Sequence, residues 1–204
     1  GPYDITKWRA FGYEGTYFEV GDLTSSDASK LRAGSGFWRI SRVEGDVSYE
    51  GVDVHKTQSY TVAIPAKSWA LVVSMYEGDV VWQDVQILAG KNESPVMVTV
   101  GSEQNNYVNQ TLWGMDQSAS DLTKPYKVEA VMQPGKGYWV YNKSLDGVAV
   151  QISKPTTLSK ARAKSAVAVY KPSEKTPPEA PISVQESGVS APAGGGGGGG
   201  CFLK

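Results

Sequence analysis

The feature that most constrains the fold is a series of short apolar segments separated by glycine-containing turns such as Gly78-Asp79 and Ala89-Gly90. Ser59 to Ile64 and Val80 to Ile87 alternate apolar and polar residues, and Trp69 to Met75 is almost continuously apolar. Segments this short are typical of β-strands. Further candidate strands are Thr16 to Val20, Gly36 to Val43, Val47 to Val54, Pro95 to Val100, Lys127 to Met132, Gly137 to Asn142 and Val148 to Ile152. About ten strands at this spacing predict an all-β body, either a sandwich or barrel-like.

One stretch of the body is repeated. Leu31 to Ser41 recurs as Val131 to Asn142, and the two copies share Gly-x-Gly-aromatic-Trp. This pattern predicts a tight turn that leads directly into a strand, so that Phe37 or Trp38, and Tyr138 or Trp139, reach the core. Self-similarity of this kind indicates duplicated half-modules. We expect a β-rich body over residues 1–153, with a partial first module over 1–55 and a second over 56–153, and an extended tail rich in proline and glycine over 154–204.

Charge divides the chain in the same place. Residues 1–153 carry 13 Lys and Arg against 18 Asp and Glu, and residues 154–204 carry 7 against 3. An acidic body and a basic tail favour association between the tail of one molecule and the body of another, although both surfaces could simply be solvated. The acidic body disfavours nucleic-acid binding. The sequence also has no apolar stretch long enough to span a membrane.

The sequence offers little material for catalysis. His55 is the only histidine and Cys201 the only cysteine, so a multi-cysteine metal site and an intrachain disulfide are both excluded. The Gly34-x-Gly36 pair precedes a predicted strand, whereas phosphate-binding loops precede helices. We therefore predict no catalytic residue, no cofactor-binding residue and no metal ligand, and we expect the protein not to be an enzyme.

Aromatic residues and sequons leave two further possibilities open. Aromatic side chains on a β-scaffold can stack on sugar rings, but we expect the tryptophans mainly in the core. Those expected to be buried are Trp38, Trp69, Trp82, Trp113 and Trp139. The glycosylation pattern Asn-x-Ser/Thr begins at Asn92, Asn109 and Asn142, and it matters only in a secreted protein.

Three motifs together resemble a β-module that is repeated in large secreted bacterial surface proteins. They are Trp69-Ala70-Leu71-Val72-Val73, Val80-Val81-Trp82-Gln83-Asp84-Val85 and Pro134-Gly135-Lys136-Gly137-Tyr138-Trp139-Val140-Tyr141-Asn142. The resemblance covers about residues 60–152 and departs from the usual pattern at Ser68 and Ala70. It implies a structural, extracellular or cell-surface role without catalytic residues. Compared with this module, the partial first module lacks the opening strands. We therefore expect it to expose a strand edge and an uncovered apolar face.

The tail ends in seven glycines, Gly194 to Gly200, followed by Cys201-Phe202-Leu203-Lys204. A glycine run gains nothing from its own side chains to offset its backbone entropy. The ending resembles the C-terminal sorting tails of secreted bacterial proteins, and the resemblance implies that Cys201 is a processing or attachment point.

Within the tail, the segment before Lys171 is apolar and compatible with a strand. We expect its residues Ala166, Val167, Ala168, Val169 and Tyr170 to fill the exposed edge of a neighbouring copy. The function expected is that of a subunit of a surface filament or layer, a fimbrium for example, assembled head to tail by donation of the tail. The alternative is a carbohydrate-binding or adhesive module that recognises cell-surface glycans.

Overall fold

The computed structural model describes residues 8–20, 32–41, 59–90, 96–116, 118–119, 125–156 and 161–181. These ranges are almost all β-structure, which confirms the predicted fold class. The strands are β1 Trp8–Tyr13, β2 Tyr17–Val20, β3 Trp38–Ser41, β4 Ser59–Ile64, β5 Trp69–Val73, β6 Val80–Val81, β7 Gln86–Ala89, β8 Val96–Thr99, β9 Leu112–Met115, β10 Tyr126–Glu129, β11 Val131–Met132, β12 Gly137–Tyr141 and β13 Val148–Ser153. His55, Cys201 and the predicted strand from Val47 to Val54 lie outside the described residues.

The strands form three larger antiparallel sheets and a small ribbon. The N-terminal sheet has the order β2-β1-β3, the central sheet β10-β9-β12-β5, and the outer sheet β4-β13-β7-β8, while β11 pairs with β6. All of these sheets are open, so the fold is a layered sandwich and not a barrel.

The central sheet is buried on both faces because its strands alternate between two apolar clusters. Tyr138 and Val140 of β12 pack with residues of the outer sheet, and Trp139 and Tyr141 pack with residues of the N-terminal sheet. Strand β5 is buried at every position. Its continuous apolar sequence therefore reflects a strand with a core on each side.

The N-terminal sheet repeats the arrangement of the central sheet. In each, the strand that carries the Gly-x-Gly-aromatic-Trp motif pairs with the middle strand, with Trp38 opposite Phe11 and Trp139 opposite Trp113. On its other side, the middle strand of the N-terminal sheet, β1, pairs with β2, and the middle strand of the central unit, β9, pairs with β10. The duplication read from the sequence thus corresponds to a repeated three-stranded unit.

The two units pack face to face. Phe11 and Trp38 belong to the same apolar cluster as Trp69 and Trp139 of the central sheet. The expectation of an uncovered apolar face is therefore wrong for this face of the first unit, because the same chain covers it. The five tryptophans expected in the core are all buried, which confirms that prediction.

Two predicted strands are interrupted. The segment from Val80 to Ile87 contains a 3-10 helix, Trp82–Asp84, whose Trp82 side chain is fully buried. The segment from Lys127 to Met132 divides at Ala130, whose carbonyl accepts a hydrogen bond of 3.1 Å from the Trp82 backbone N–H. The 3-10 turn at Trp82 therefore ends the β6–β11 ribbon, and the chain continues into the outer sheet as β7.

Candidate functional site

The tail lies on the body over residues 170–181, and it contacts side chains and backbone far away in the sequence. We call the body surface that it contacts the tail seat. The tail seat consists of Tyr17, Gln110, Thr111, Trp113, Tyr126 and Tyr141. It is assembled from four strands and from the residues just before β9.

Glu174 makes the most directional contact with the tail seat. Its two carboxylate oxygens accept hydrogen bonds of 3.1 Å each from the backbone N–H groups of Gln110 and Thr111. These N–H groups lie just before β9 begins, where the ladder does not use them. A carboxylate that accepts two backbone N–H groups forms stronger hydrogen bonds than a neutral acceptor does.

Three other contacts hold the tail on either side of Glu174. The backbone N–H of Lys171 donates to the hydroxyl of Thr111 at 3.2 Å. The Tyr170 ring meets the Trp113 ring edge-on, with centroids 5.9 Å apart. The ammonium of Lys175 lies 4.9 Å from the centre of the Tyr141 ring, which is a cation–π contact.

Two tyrosines bind the backbone of the proline-rich part of the tail. The hydroxyl of Tyr126 donates to the carbonyl of Pro178 at 2.6 Å, and that of Tyr17 donates to the carbonyl of Glu179 at 2.8 Å. Burial raises the pKa of Tyr126 to about 12 and also raises the pKa of Tyr17 above its usual value. Both phenols therefore remain protonated donors at neutral pH. Pro177 and Pro181 are buried here.

The five residues predicted to act in assembly, Ala166 to Tyr170, overlap this anchored part only at Tyr170, and we call them the assembly stretch. It follows a helical turn at 161–163, and Arg162 of that turn forms a 2.9 Å ion pair with Asp84. The assembly stretch pairs with no strand among the described residues. Val167 is 79% exposed and Tyr170 55% exposed. Their role in assembly stays a prediction.

A second exposed apolar segment lies on the outer sheet. Strand β8 is the outermost described strand of that sheet, and only its β7 side is paired. Val96 is 50% exposed and Met97 55% exposed, whereas Val98 packs against the core. An edge strand of this kind is a template for pairing with another chain.

The structure also bears on the sequons. Asn109 and Asn142 are buried, and the Asn142 amide is used in internal hydrogen bonds, so neither can carry a glycan in the folded chain. The third, Asn92, lies outside the described residues.

In the described part of the chain, no three His, Cys, Asp or Glu side chains come close enough together to hold a metal ion. No helix found there is long and apolar enough to cross a membrane.

Comparison of this chain with known proteins found no match. No family model matches the chain, and no curated protein and no solved structure matches it.

Proposed function

We propose that this chain is a non-enzymatic extracellular structural protein of a bacterial cell surface, which polymerises with copies of itself into a filament or layer. The observation that supports the proposal best is the assembly stretch. It exposes Val167 and Tyr170 next to a segment that is fastened to the body. Such a stretch is apolar, unpaired among the described residues and held in place, and these properties suit a segment that pairs with a strand of another copy.

The acceptor in this proposal is the free edge of strand β8 in a second copy. Four of the five large hydrophobic side chains exposed in the described residues belong to the assembly stretch or to β8. Pairing the two segments satisfies the backbone groups of both and covers these side chains. Full burial of Val167 contributes on the order of 1.5–3 kcal/mol, and Val169 and Tyr170, which are already partly covered, contribute less.

Assembly of this kind is head to tail. Each subunit donates its assembly stretch and accepts a neighbour's at β8, so the contact joins two different surfaces. A contact between different surfaces builds an open polymer unless its rotation closes a ring. The basic tail and the acidic body favour the same encounter.

Cysteine cross-linking tests this contact directly. In a Cys201→Ser background, one chain carries Val167→Cys and the other carries Met97→Cys. When the two are mixed under mild oxidation, we expect a disulfide-linked dimer of the two different chains, because paired strands bring facing Cβ atoms within disulfide range. The matched control replaces Met97→Cys with Leu145→Cys, since Leu145 is 83% exposed and lies outside both segments.

Equal cross-linking of the Leu145 control would contradict the β8 contact. Negative-stain imaging of the unmodified chain and of Val167→Asp gives a second test, and we expect polymers in the first and only dispersed subunits in the second. The competing carbohydrate-binding function predicts instead that glycans bind to the monomer and that Tyr170→Ala abolishes this binding. With five tryptophans buried, the part-buried Trp8 is the one tryptophan among the described residues that this alternative could use for stacking.

A further inference from the structure

A basic pocket of about 470 Å³ lies between the tail and the body, apart from the assembly stretch and β8. It falls in the size range of small-molecule sites, about 300–1,000 Å³. Its lining residues are Lys67, Asn109, Tyr141, Lys143, Lys171, Ser173, Glu174 and Lys175. Four of these eight side chains are cationic and one is anionic, which leaves a formal excess of three positive charges.

The anionic side chain does not neutralise the lysines by direct pairing. Both oxygens of Glu174 accept from backbone N–H groups of the body. Burial and the nearby Lys171 hold the pKa of Lys143 below its usual value, against the opposing effect of Glu174. Burial and a like charge disfavour the charged form of this ammonium, and a bound anion would favour it.

A buried amide lines the same pocket. The Asn109 side chain is 3% exposed, and its amide nitrogen has no hydrogen-bond partner among the described residues. Buried polar atoms in folded proteins nearly always have partners, and a ligand that accepts a hydrogen bond at this wall of the pocket would provide one for the Asn109 amide. This observation is independent of the lysines and indicates the same kind of ligand, one that accepts hydrogen bonds.

We propose that this pocket binds an oxyanion group, a phosphate, sulfate or carboxylate, between Lys143 of the body and Lys171 of the tail, with the Asn109 amide as a further donor. Ammonium groups and an amide N–H suit such a group, because charge-assisted hydrogen bonds to an oxyanion are short and strong. The Tyr141 ring, already under the Lys175 ammonium, provides an apolar wall.

The body and the tail each supply half of the lysines, so ligand binding also fastens the tail to its seat. Lys67 and Lys143 come from the body, and Lys171 and Lys175 from the tail. A bound anion offsets the repulsion between the two pairs. Because the anion binds only when the tail is seated, it stabilises the seated state by mass action.

Calorimetric titration of the full chain at low ionic strength tests the site with three probes: inorganic phosphate, sulfate and glucuronate. We expect binding to the parent chain and a loss of about tenfold or more in affinity for Lys143→Gln and for Lys171→Gln, since a hydrogen bond to a charged group contributes about 1.5–3 kcal/mol. The matched control is Lys164→Gln, because Lys164 is an exposed tail lysine outside the pocket. Its affinity should equal that of the parent chain.

The three probes distinguish the source of the oxyanion. Binding of phosphate or sulfate supports a free or esterified inorganic anion, and binding of glucuronate alone supports an acidic sugar. The proposal is overturned if no probe binds, or if Lys164→Gln weakens binding as much as Lys143→Gln does. Limited proteolysis of the tail with trypsin gives a second readout, in which the probe should slow cleavage after Lys175 in the parent chain but not in Lys143→Gln. The titration can fail or succeed whether or not the chain polymerises.

Discussion

The ring of Trp139 meets that of Tyr13 edge-on, with centroids 4.8 Å apart and ring planes at 90°. Tyr13 belongs to the N-terminal sheet and Trp139 to the central sheet, so this pair joins the two repeated units. Trp139 also lies edge-on to Trp69, at 6.3 Å between centroids. One side chain therefore lies at the centre of the interface between the sheets.

Trp139→Ala should reduce the free energy of unfolding by about 3–5 kcal/mol, the usual cost of deleting a large buried aromatic side chain. Urea unfolding followed by far-UV circular dichroism measures the loss. Trp139→Phe, which keeps a ring in place, should lose clearly less. A loss below about 1 kcal/mol for the alanine variant would mean that the two sheets do not pack through this side chain.

Glu174→Ala should loosen the tail without unfolding the body, because it removes the shared acceptor of two backbone N–H groups. We expect trypsin to cut the tail after Lys175 several times faster, with little change in the thermal unfolding of the body. Glu103→Ala is the matched control, since Glu103 is exposed and is not one of the residues that form the tail seat. Equal cleavage rates for the two variants would show that the carboxylate does not hold the tail.

Asn142 organises the loops at one end of the sandwich. Its amide donates to the carbonyls of Ile64, Pro65 and Asp146, at 3.2, 3.0 and 2.8 Å. Its side-chain oxygen accepts from the backbone N–H and the hydroxyl of Ser144. A fully buried side chain with this many partners cannot be removed without leaving polar groups unsatisfied.

Asn142→Ala should therefore reduce the free energy of unfolding by at least about 2 kcal/mol, since each buried polar group left unsatisfied costs about 1–3 kcal/mol. Chemical denaturation measures this. Asn106→Ala, at an exposed position, provides the comparison and should stay within about 0.5 kcal/mol of the parent chain. Similar values for both variants would rule out the organising role of Asn142.

Alternation in the sequence was enough to predict most strands, but it missed β1 and β9. Each contains a glycine, Gly12 or Gly114, that breaks the apolar pattern. The structure shows why glycine is there: a Cβ at Gly12 would lie 2.2 Å from the ring of Phe18, and one at Gly114 would lie 2.8 Å from the Glu129 side chain. In β1 and β9, the glycine therefore marks a position that a neighbouring side chain approaches too closely for a Cβ to fit. The repeated aromatic-Gly pair at residues 11–12 and 113–114 was the available signal.

The tail seat was not predictable in the same way. Its contacts join single side chains such as Glu174 and Tyr126 to backbone groups more than fifty residues away. Backbone donors and acceptors are the same at every position, so they leave no pattern in the sequence. Proline content predicts an extended tail, which stays a prediction, and it did not indicate that the tail lies on the body.

The contribution of the Tyr126 contact to stability should fall at alkaline pH. Burial raises the pKa of Tyr126 to about 12 in the folded chain, whereas a released tyrosine ionises near its ordinary value of about 10. Below about pH 10 both states are protonated and the hydrogen bond to Pro178 contributes fully. As the pH rises from about 10 towards 12, only the released state loses its proton, so stability falls across that window.

Tyr126→Phe should be less stable at neutral pH, because the hydrogen bond is gone, yet it should lose less stability across the same window. Urea unfolding at a series of pH values measures both slopes, and identical slopes for the parent chain and Tyr126→Phe would show that this phenol does not couple tail seating to pH.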